Sequence, residues 1–494
     1  MARVYSRVAV IGAGPSGIAA ARALREEGNF EAIRVFERKA AVGGMWAYEP
    51  RPEMFQSTTF TVDEARLPIP EGLLPGSPVT TPPAARERLG TIGAAYDSLD
   101  TNAGARTMAF THTPLPVANS AVSERRFGVN NSSRPRHTVL SYLEELARPV
   151  LEQIVFSTHV EALRKQEDGT WLLTARRETE ANDIWSQQVF DAVIVASGHF
   201  NVASVPRIDG LVEAAAAVPS AFEHSKSFRH KESYQDKRVV VVGGGISAAD
   251  LMEDLHTVAH APLYVSRRGN VGFLESAWKL PNVEQKPTIQ SIRLERTVET
   301  NSQSVILNFS DGSSISHVDK VLFATGYRLA YPFLPYPDGS VTPHNRLAGF
   351  YQHIFCMDDP SLAVIGQVRA AISLRVYEYQ AVAVARFLGG HAAGVLPTVK
   401  EQRAWEQDRL AYKGPSELFH EIKPDFAEYY SWMRLFAGAP APESIESGAY
   451  ELPPYEDWWV DSDVEVLIAK GRYWDSLCGS GEEKRERLKQ QQQK

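Results

Sequence analysis

The chain has 494 residues, 44% hydrophobic and 23% charged, which is ordinary globular usage and room for two or three domains, so disordered and fibrous architectures are excluded. Its 52 basic and 60 acidic residues leave a net charge of −8, giving no electrostatic ground for nucleic acid or an anionic membrane surface as a partner. Two cysteines, Cys356 and Cys478, exclude a disulfide framework, a Cys-x-x-Cys redox pair and a cysteine-rich zinc site, and a reducing compartment is the simplest fit.

No run approaches the ~18 consecutive apolar residues of a spanning helix. The start, Met1 to Gly12, lacks the charged, apolar and small-residue regions of a cleavable leader. Residues 481–494 are rich in Glu, Lys, Arg and Gln and read as a disordered charged tail. A soluble, cytoplasmic protein with no membrane partner is expected.

In chain order, the β-branched run at residues 8–11 leads into Gly12-Ala13-Gly14-Pro15-Ser16-Gly17 and then a helix-forming segment. A second strand, residues 34–36, ends in Glu37 and Arg38, followed by Gly43-Gly44-Met45-Trp46. Between Pro52 and Pro83 lie seven prolines, so a long irregular loop over a surface or cleft is expected. After Leu140 a helix is expected, then an antiparallel accessory sheet in which residues 171–175 and 187–190 flank the polar segment 176–186. Residues 191–195, running into Ala196-Ser197-Gly198-His199, are a buried strand ending in small residues. Residues 319–323, with Ala324-Thr325-Gly326-Tyr327, repeat that pattern. Between these two, residues 238–242 and Gly243-Gly244-Gly245-Ile246-Ser247-Ala248 repeat the opening of the chain. Past Gly326 one helix is expected around residues 378–387, followed by an extended, aromatic-rich C-terminal stretch that includes residues 453–459. Two strand–glycine–helix openings predict an α/β chain with two Rossmann-like dinucleotide-binding domains.

The residue types carry the chemistry. Gly12, Gly14 and Gly17 form G-x-G-x-x-G, in which the first glycine turns, the second admits a pyrophosphate to the backbone and the third lets helix pack on strand. The helix start at Pro15 and Ser16 then offers free N–H groups and a positive dipole end to phosphates. Glu37, twenty residues past Gly17, is placed to accept ribose hydroxyls. In the second fingerprint Gly243 and Gly245 hold the first two glycine positions, beside Ser247, and Ala248 the third. The position matching Glu37 carries Ser266, Arg267 and Arg268 instead. A guanidinium binds a 2′-phosphate that a carboxylate would repel, so this lobe is expected to take NADPH in preference to NADH. Scattered histidines show no ligand spacing, so no metal is expected.

With these residues the chain resembles the flavin-containing monooxygenases, class B flavoproteins, in a form without the C-terminal membrane anchor of some members. The likeness runs over about residues 8–405. It rests on both fingerprints, Glu37, Gly43 to Trp46, Tyr96-Asp-Ser-Leu-Asp-Thr101-Asn102, Ala196 to His199, and Phe323 to Tyr327. Of the family's signature ahead of the second lobe, His224 and Phe228 match. Val218 and Ser220 stand where Phe and Gly are usual, and Phe228, where Baeyer–Villiger relatives usually carry Trp, favours the heteroatom-oxidising branch.

The resemblance implies FAD in the first lobe, touched by Gly44, Met45, Trp46, Thr101 and Asn102, and NADPH in the second. It also implies a discontinuous FAD domain (residues 1–215 and 331–480) with the NADPH domain (216–330) inserted. Asn102 is the expected catalytic residue, an amide beside the flavin that protects a C4a-hydroperoxide without being a proton source. Ser197, Gly198, His199 and Phe200 are expected to approach NADP, and Thr325 and Gly326 to close on the flavin lobe, while His224 couples the lobes. Glu378 and Gln380 match a family pattern that a solvated helix face would explain nearly as well. The implied activity inserts one atom of O2 into an amine nitrogen or a sulfur of a small molecule. A Baeyer–Villiger or N-hydroxylating monooxygenase with the same cofactors, or a silent FAD scaffold, are the alternatives. The missing cysteine pair argues against a disulfide reductase. The substrate and the oligomeric state stay open.

Overall fold

The computed structural model describes residues 5–27, 30–57, 67–84, 92–269, 272–296, 303–336 and 340–478; the charged tail 481–494 and part of the proline-rich segment lie outside them. Two parallel sheets organise the molecule. In the first, β1 (Arg7–Ile11) lies between β2 (Ala32–Phe36) and β3 (Ala192–Val195), parallel to both. Strand Ile154–Val155 extends it beyond β2, and Leu362–Val364, Phe355–Cys356 and Phe350–Tyr351 extend it beyond β3. One sheet therefore takes strands from both sides of the second. That second sheet is five-stranded and all parallel, with β4 (Val239–Val242) at its centre, flanked by β5 (Leu263–Ser266) and β6 (Lys320–Phe323). Strands Val283–Lys286 and Phe222–His224 form its edges.

Strands buried on both faces read as continuous apolar runs. Val8, Ala9, Val10 and Ile11 are all buried, as are Val239 to Val242 and Ala192 to Val195. Helix α1 (Pro15–Glu27) follows β1, and α2 (Ile246–Leu255) follows β4, each laying an Ala-rich face on its sheet. Helix α3 (Arg375–Gly389) packs on α1, where Arg386 and Glu27 form an ion pair at 2.9 Å, both essentially without exposure.

Three segments differ from the sequence expectation. Inside the proline-rich segment, Val79–Thr81 forms a short edge strand on Asp183–Phe190. Its three β-branched residues fit a pleated edge, while Pro78 and Pro82 limit its length. The accessory hairpin is longer than its apolar pattern: strands Trp171–Glu178 and Asp183–Phe190 take in most of residues 176–186. Polar residues persist inside the sheet because Arg176, 1% exposed, is paired with Glu161, Glu178 and Asp183. The C-terminal stretch, expected extended, holds helices Val399–Lys413 and Phe426–Ala437 and a long α4 (Trp458–Cys478). The buried stripe of α4 is Trp459, Ser462, Val466, Lys470 and Trp474. Its spacing is helical, but a serine and a lysine interrupt the hydrophobic signal.

Candidate functional site: one cleft between two dinucleotide folds

The two fingerprints are built alike. Ile11 stands opposite Phe36 and Val195 in register, and Val242 opposite Ser266 and Phe323. Glu37 and Arg267 are thus equivalent, each the first residue past its strand. Gly12 N–H donates to Phe36 O at 2.8 Å, and Gly243 N–H to Ser266 O at 2.9 Å. Each of these glycines has a positive φ, +106° and +143°, and a Cβ would fall 2.6 Å from Ala196 O and 2.3 Å from Ala324 O respectively. The strand exits leave no room for a side chain. At the third position the lobes diverge: a Cβ on Gly17 would sit 1.8 Å from Gly12 O, whereas Ala248 carries its methyl group fully buried.

Both openings face one cavity of about 1530 Å3, larger than the usual 300–1,000 Å3 of a single small-ligand site. Every residue expected to touch a cofactor lines it except Gly17 and Ala248, which work behind the surface as packing positions; His224, Glu378 and Gln380 also lie off its wall. Gly44 (φ +56°) approaches Gly14 so closely that a Cβ would lie 2.9 Å from Gly14 Cα, a cradle of bare backbone against the N-terminus of α1. Glu37 is buried, its two oxygens accepting from Ala13 N–H at 2.6 Å and Lys39 N–H at 2.8 Å. These bonds aim the carboxylate along the cavity wall and leave lone pairs for further donors. Arg38 reaches across to Asn201 Oδ1 at 2.9 Å.

Arg267 also lines the cavity, but its guanidinium is turned to the protein: Nε and Nη2 donate to Gln285 Oε1 at 3.1 and 2.8 Å, and Nη1 to Gly269 O, over the Trp278 ring. Arg268 is the exposed guanidinium at this wall, and Arg207 is a second. Ser266 is buried and donates to Pro287 O at 2.8 Å.

Between the fingerprints the two remaining strand exits are tied together. Tyr327–Arg328 pairs antiparallel with Val202–Ala203, Ser204 N–H donates to Gly326 O at 2.9 Å, and Thr325 Oγ1 donates to Ser204 O. His224 joins the same knot. Its Nδ1 accepts from Lys226 N–H at 3.1 Å, which puts its proton on Nε2 for donation to Gly326 O at 3.0 Å. His199 donates from Nδ1 to Gly366 O at 3.1 Å. Burial pushes both histidines down to about 4, so each is neutral at pH 7. Phe200 stacks edge-on between His199 and Tyr327.

Asn102 stands at the end of a segment held by backbone bonds, Thr101 N–H to Arg134 O at 2.9 Å and Arg136 N–H to Leu99 O at 2.9 Å. Thr101 Oγ1 accepts from Arg134 N–H, and the Arg134 side chain binds carbonyls of Pro116, Asn131 and Ser133. Sequence reasoning missed what meets Asn102 from the far end of the chain: Lys470 on α4 donates to its Oδ1 at 2.6 Å. It also missed that Glu378 and Gln380 are buried. Glu378 accepts from Thr111 and Tyr450, and Gln380 holds Gly366 N–H at 2.8 Å. Among the described residues no group of three or more His, Cys, Asp or Glu could hold a metal ion, and no helix is long and apolar enough to cross a membrane.

Two dinucleotide folds of this kind opening on a shared cleft define a pyridine-nucleotide-linked flavoprotein. The comparison with known proteins narrows the class. The model of the flavin-binding monooxygenase-like family matches residues 93–280 and 288–439, and that of an NAD(P)-binding Rossmann-like domain matches residues 10–63. Flavin-containing monooxygenase FMO GS-OX5 of Arabidopsis thaliana is 30% identical, over 95% of this chain and 94% of its own. Flavin-containing monooxygenase ustF2 of Aspergillus flavus is 25% identical over 84% and 88%. Among solved structures, S-allyl-L-cysteine S-oxygenase from Allium sativum superposes with a TM-score of 0.68 at 23% identity, covering 96% of this chain and 99% of that one. Cyclohexanone monooxygenase superposes at 0.56 and 12%, covering 87% and 97%. The chain belongs to the flavin-binding monooxygenase-like family. It is an FAD-dependent oxidoreductase that uses NADPH, and the cradles at Gly14, Gly44 and Glu37 and at Gly243 to Ser247 fit these two groups.

Proposed function

We propose that the enzyme transfers one oxygen atom of O2 to a soft nucleophile, an amine nitrogen or a sulfur of a small molecule. The observation that carries this reading is the character of two polar groups on the shared cavity: Asn102 is an amide and His199 an unprotonated imidazole, so neither of the two releases a proton at neutral pH. Oxygen transfer to a nucleophile needs no acid–base residue acting on the substrate, so position and dryness are what the protein must supply.

Bound FAD, once reduced by NADPH, supplies the oxygen-activating chemistry. Glu37 takes ribose hydroxyls in the first lobe, and the N-terminus of α1 faces the pyrophosphate. The N-terminus of α2 does the same in the second lobe, with the Arg267–Arg268 wall meeting the 2′-phosphate. The knot of Thr325, Gly326 and His224 keeps the two nucleotide mouths in fixed relation, and Asn102 meets the reacting groups from the first lobe. In this reading the chain divides into residues 1–215 and 331–480 around FAD and 216–330 around NADPH.

The test is a substrate panel with NADPH: an aryl methyl sulfide, a tertiary amine and a cyclic ketone. Sulfoxide or N-oxide formed in step with NADPH oxidation is the expected result. Lactone from the ketone with neither of those products overturns it.

A further inference from the structure

Helix α4 reaches the site from outside both fingerprints. Lys470, 5% exposed, donates from Nζ to Asn102 Oδ1 at 2.6 Å and to Asp250 Oδ1 at 2.6 Å. Asp250 belongs to α2, the helix that opens the second fingerprint. One turn further on, Trp474 Nε1 donates to Glu253 Oε2 of the same α2 at 2.6 Å, and Asp475 accepts from Ser276 at 2.5 Å. A single helix thus touches the amide in the first lobe and the phosphate-facing helix of the second.

We propose that Lys470 is a positioning residue that locks the amide of Asn102 with its NH2 group turned toward the cavity. This rests on the reading that Asn102 works at the flavin. An ammonium has three donors and no acceptor, so only the amide oxygen of Asn102 can face it. The nitrogen must then leave the trigonal carbon on the side away from Lys470, and Asn102 lines the cavity. Without that lysine the two flips of an asparagine differ only by what the ligands offer, and the group would present acceptor and donor by turns. With it, Asn102 is a fixed donor.

Asp250 completes the device. A buried ammonium is costly unless paired, and the carboxylate of Asp250 makes the burial tolerable. Because that carboxylate sits on α2, the orientation of Asn102 depends on the second lobe being docked against the first. The donor is presented when the nucleotide-binding helix is in place and loses its support when it is not.

The experiment uses holoenzyme with FAD bound. Lys470→Met alone leaves the half-buried Asp250 without its ammonium, so Lys470→Met/Asp250→Asn is made beside it to keep the fold. NADP+ is titrated against each variant and read from the perturbation of the flavin's visible absorption, and hydrogen peroxide released per NADPH is measured separately. The double variant is expected to bind NADP+ about fivefold or more weakly and to leak more peroxide, while adding it to Asn102→Ala changes neither readout beyond about twofold, the non-additivity of residues acting as one unit. If the lysine variant matches wild type while Asn102→Ala does not, or if the two effects add in full, the proposal is overturned and the role of Asn102 stands. If Asn102→Ala itself changes nothing, the reading of Asn102 falls and takes the proposal with it.

Discussion

Arg267 and Arg268 are neighbours in sequence with opposite commitments. The first is bonded to Gln285 and Gly269, the second exposed at the cavity wall. Arg268→Ala is therefore expected to raise KM for NADPH about tenfold, the loss of roughly 1.4 kcal/mol of charge-assisted binding, with little change for NADH. Arg267→Ala is expected to act less selectively by loosening the wall. Equal effects of Arg268→Ala on the two nucleotides would remove it from the phosphate site. Asp463 gives a second prediction. It lines the cavity with Oδ1 buried and unpaired, and burial pushes its carboxyl up to about 6 from 3.8. Because the folded form holds this proton more tightly, the penalty from Asp463 is absent at low pH and sets in as pH rises from about 4 through 6. Asp463→Asn should raise Tm at pH 8, by on the order of 2 kcal/mol in stability, and the gain should vanish below pH 4. A variant with the same advantage at both pH values would refute a titrating cause.

At the scale of elements, the glycines of the two fingerprints were legible because steric exclusion acts locally: strand, turn and helix start lie within ten residues of each other. The contrast between Gly17 and Ala248 becomes a test. A methyl group on Gly17 meets Gly12 O, so Gly17→Ala must push α1 off β1. It is expected to yield protein that purifies with FAD content lowered severalfold, while Ala248→Gly retains FAD and NADP+ binding. Full flavin occupancy in Gly17→Ala would contradict the packing role. Helix α4 was illegible for the converse reason. Its buried stripe includes Lys470 because Asp250 and Asn102 receive the ammonium, and those partners lie 220 and 368 residues away. The polar residues of 176–186 misled likewise, since the charges that let Arg176 sit inside a sheet come from three different positions. A solvated helix face explains Glu378 and Gln380 in the sequence almost as well as the family pattern does, yet both are buried, each satisfied by hydrogen-bond partners from other elements.

For the whole molecule, four histidines drawn away from bulk water set the acid limit. His199 and His224 are held at about 4, and His353 and His420, packed ring to ring with Nδ1 atoms 3.0 Å apart, are pushed well below 6.5 by burial and by nearby positive charge. The unfolded chain binds these protons first, so stability present above about pH 6.5 is lost as pH falls toward 4. Denaturant midpoints are expected to drop steeply across that interval, and His224→Gln, whose amide can still donate to Gly326 O, should flatten the slope. A midpoint independent of pH there would contradict neutral burial.

The first sheet also has a consequence for how the polypeptide comes into being. Strand β3 waits on one side for Leu362–Val364, whereas the five-stranded sheet is complete within residues 222–323. A ribosome releases all five strands of the inner sheet while the outer one still lacks an edge. A nascent chain from which Phe323 has just cleared the ribosome would carry a complete inner sheet, its core still waiting for Trp474, inside an outer sheet short of three strands.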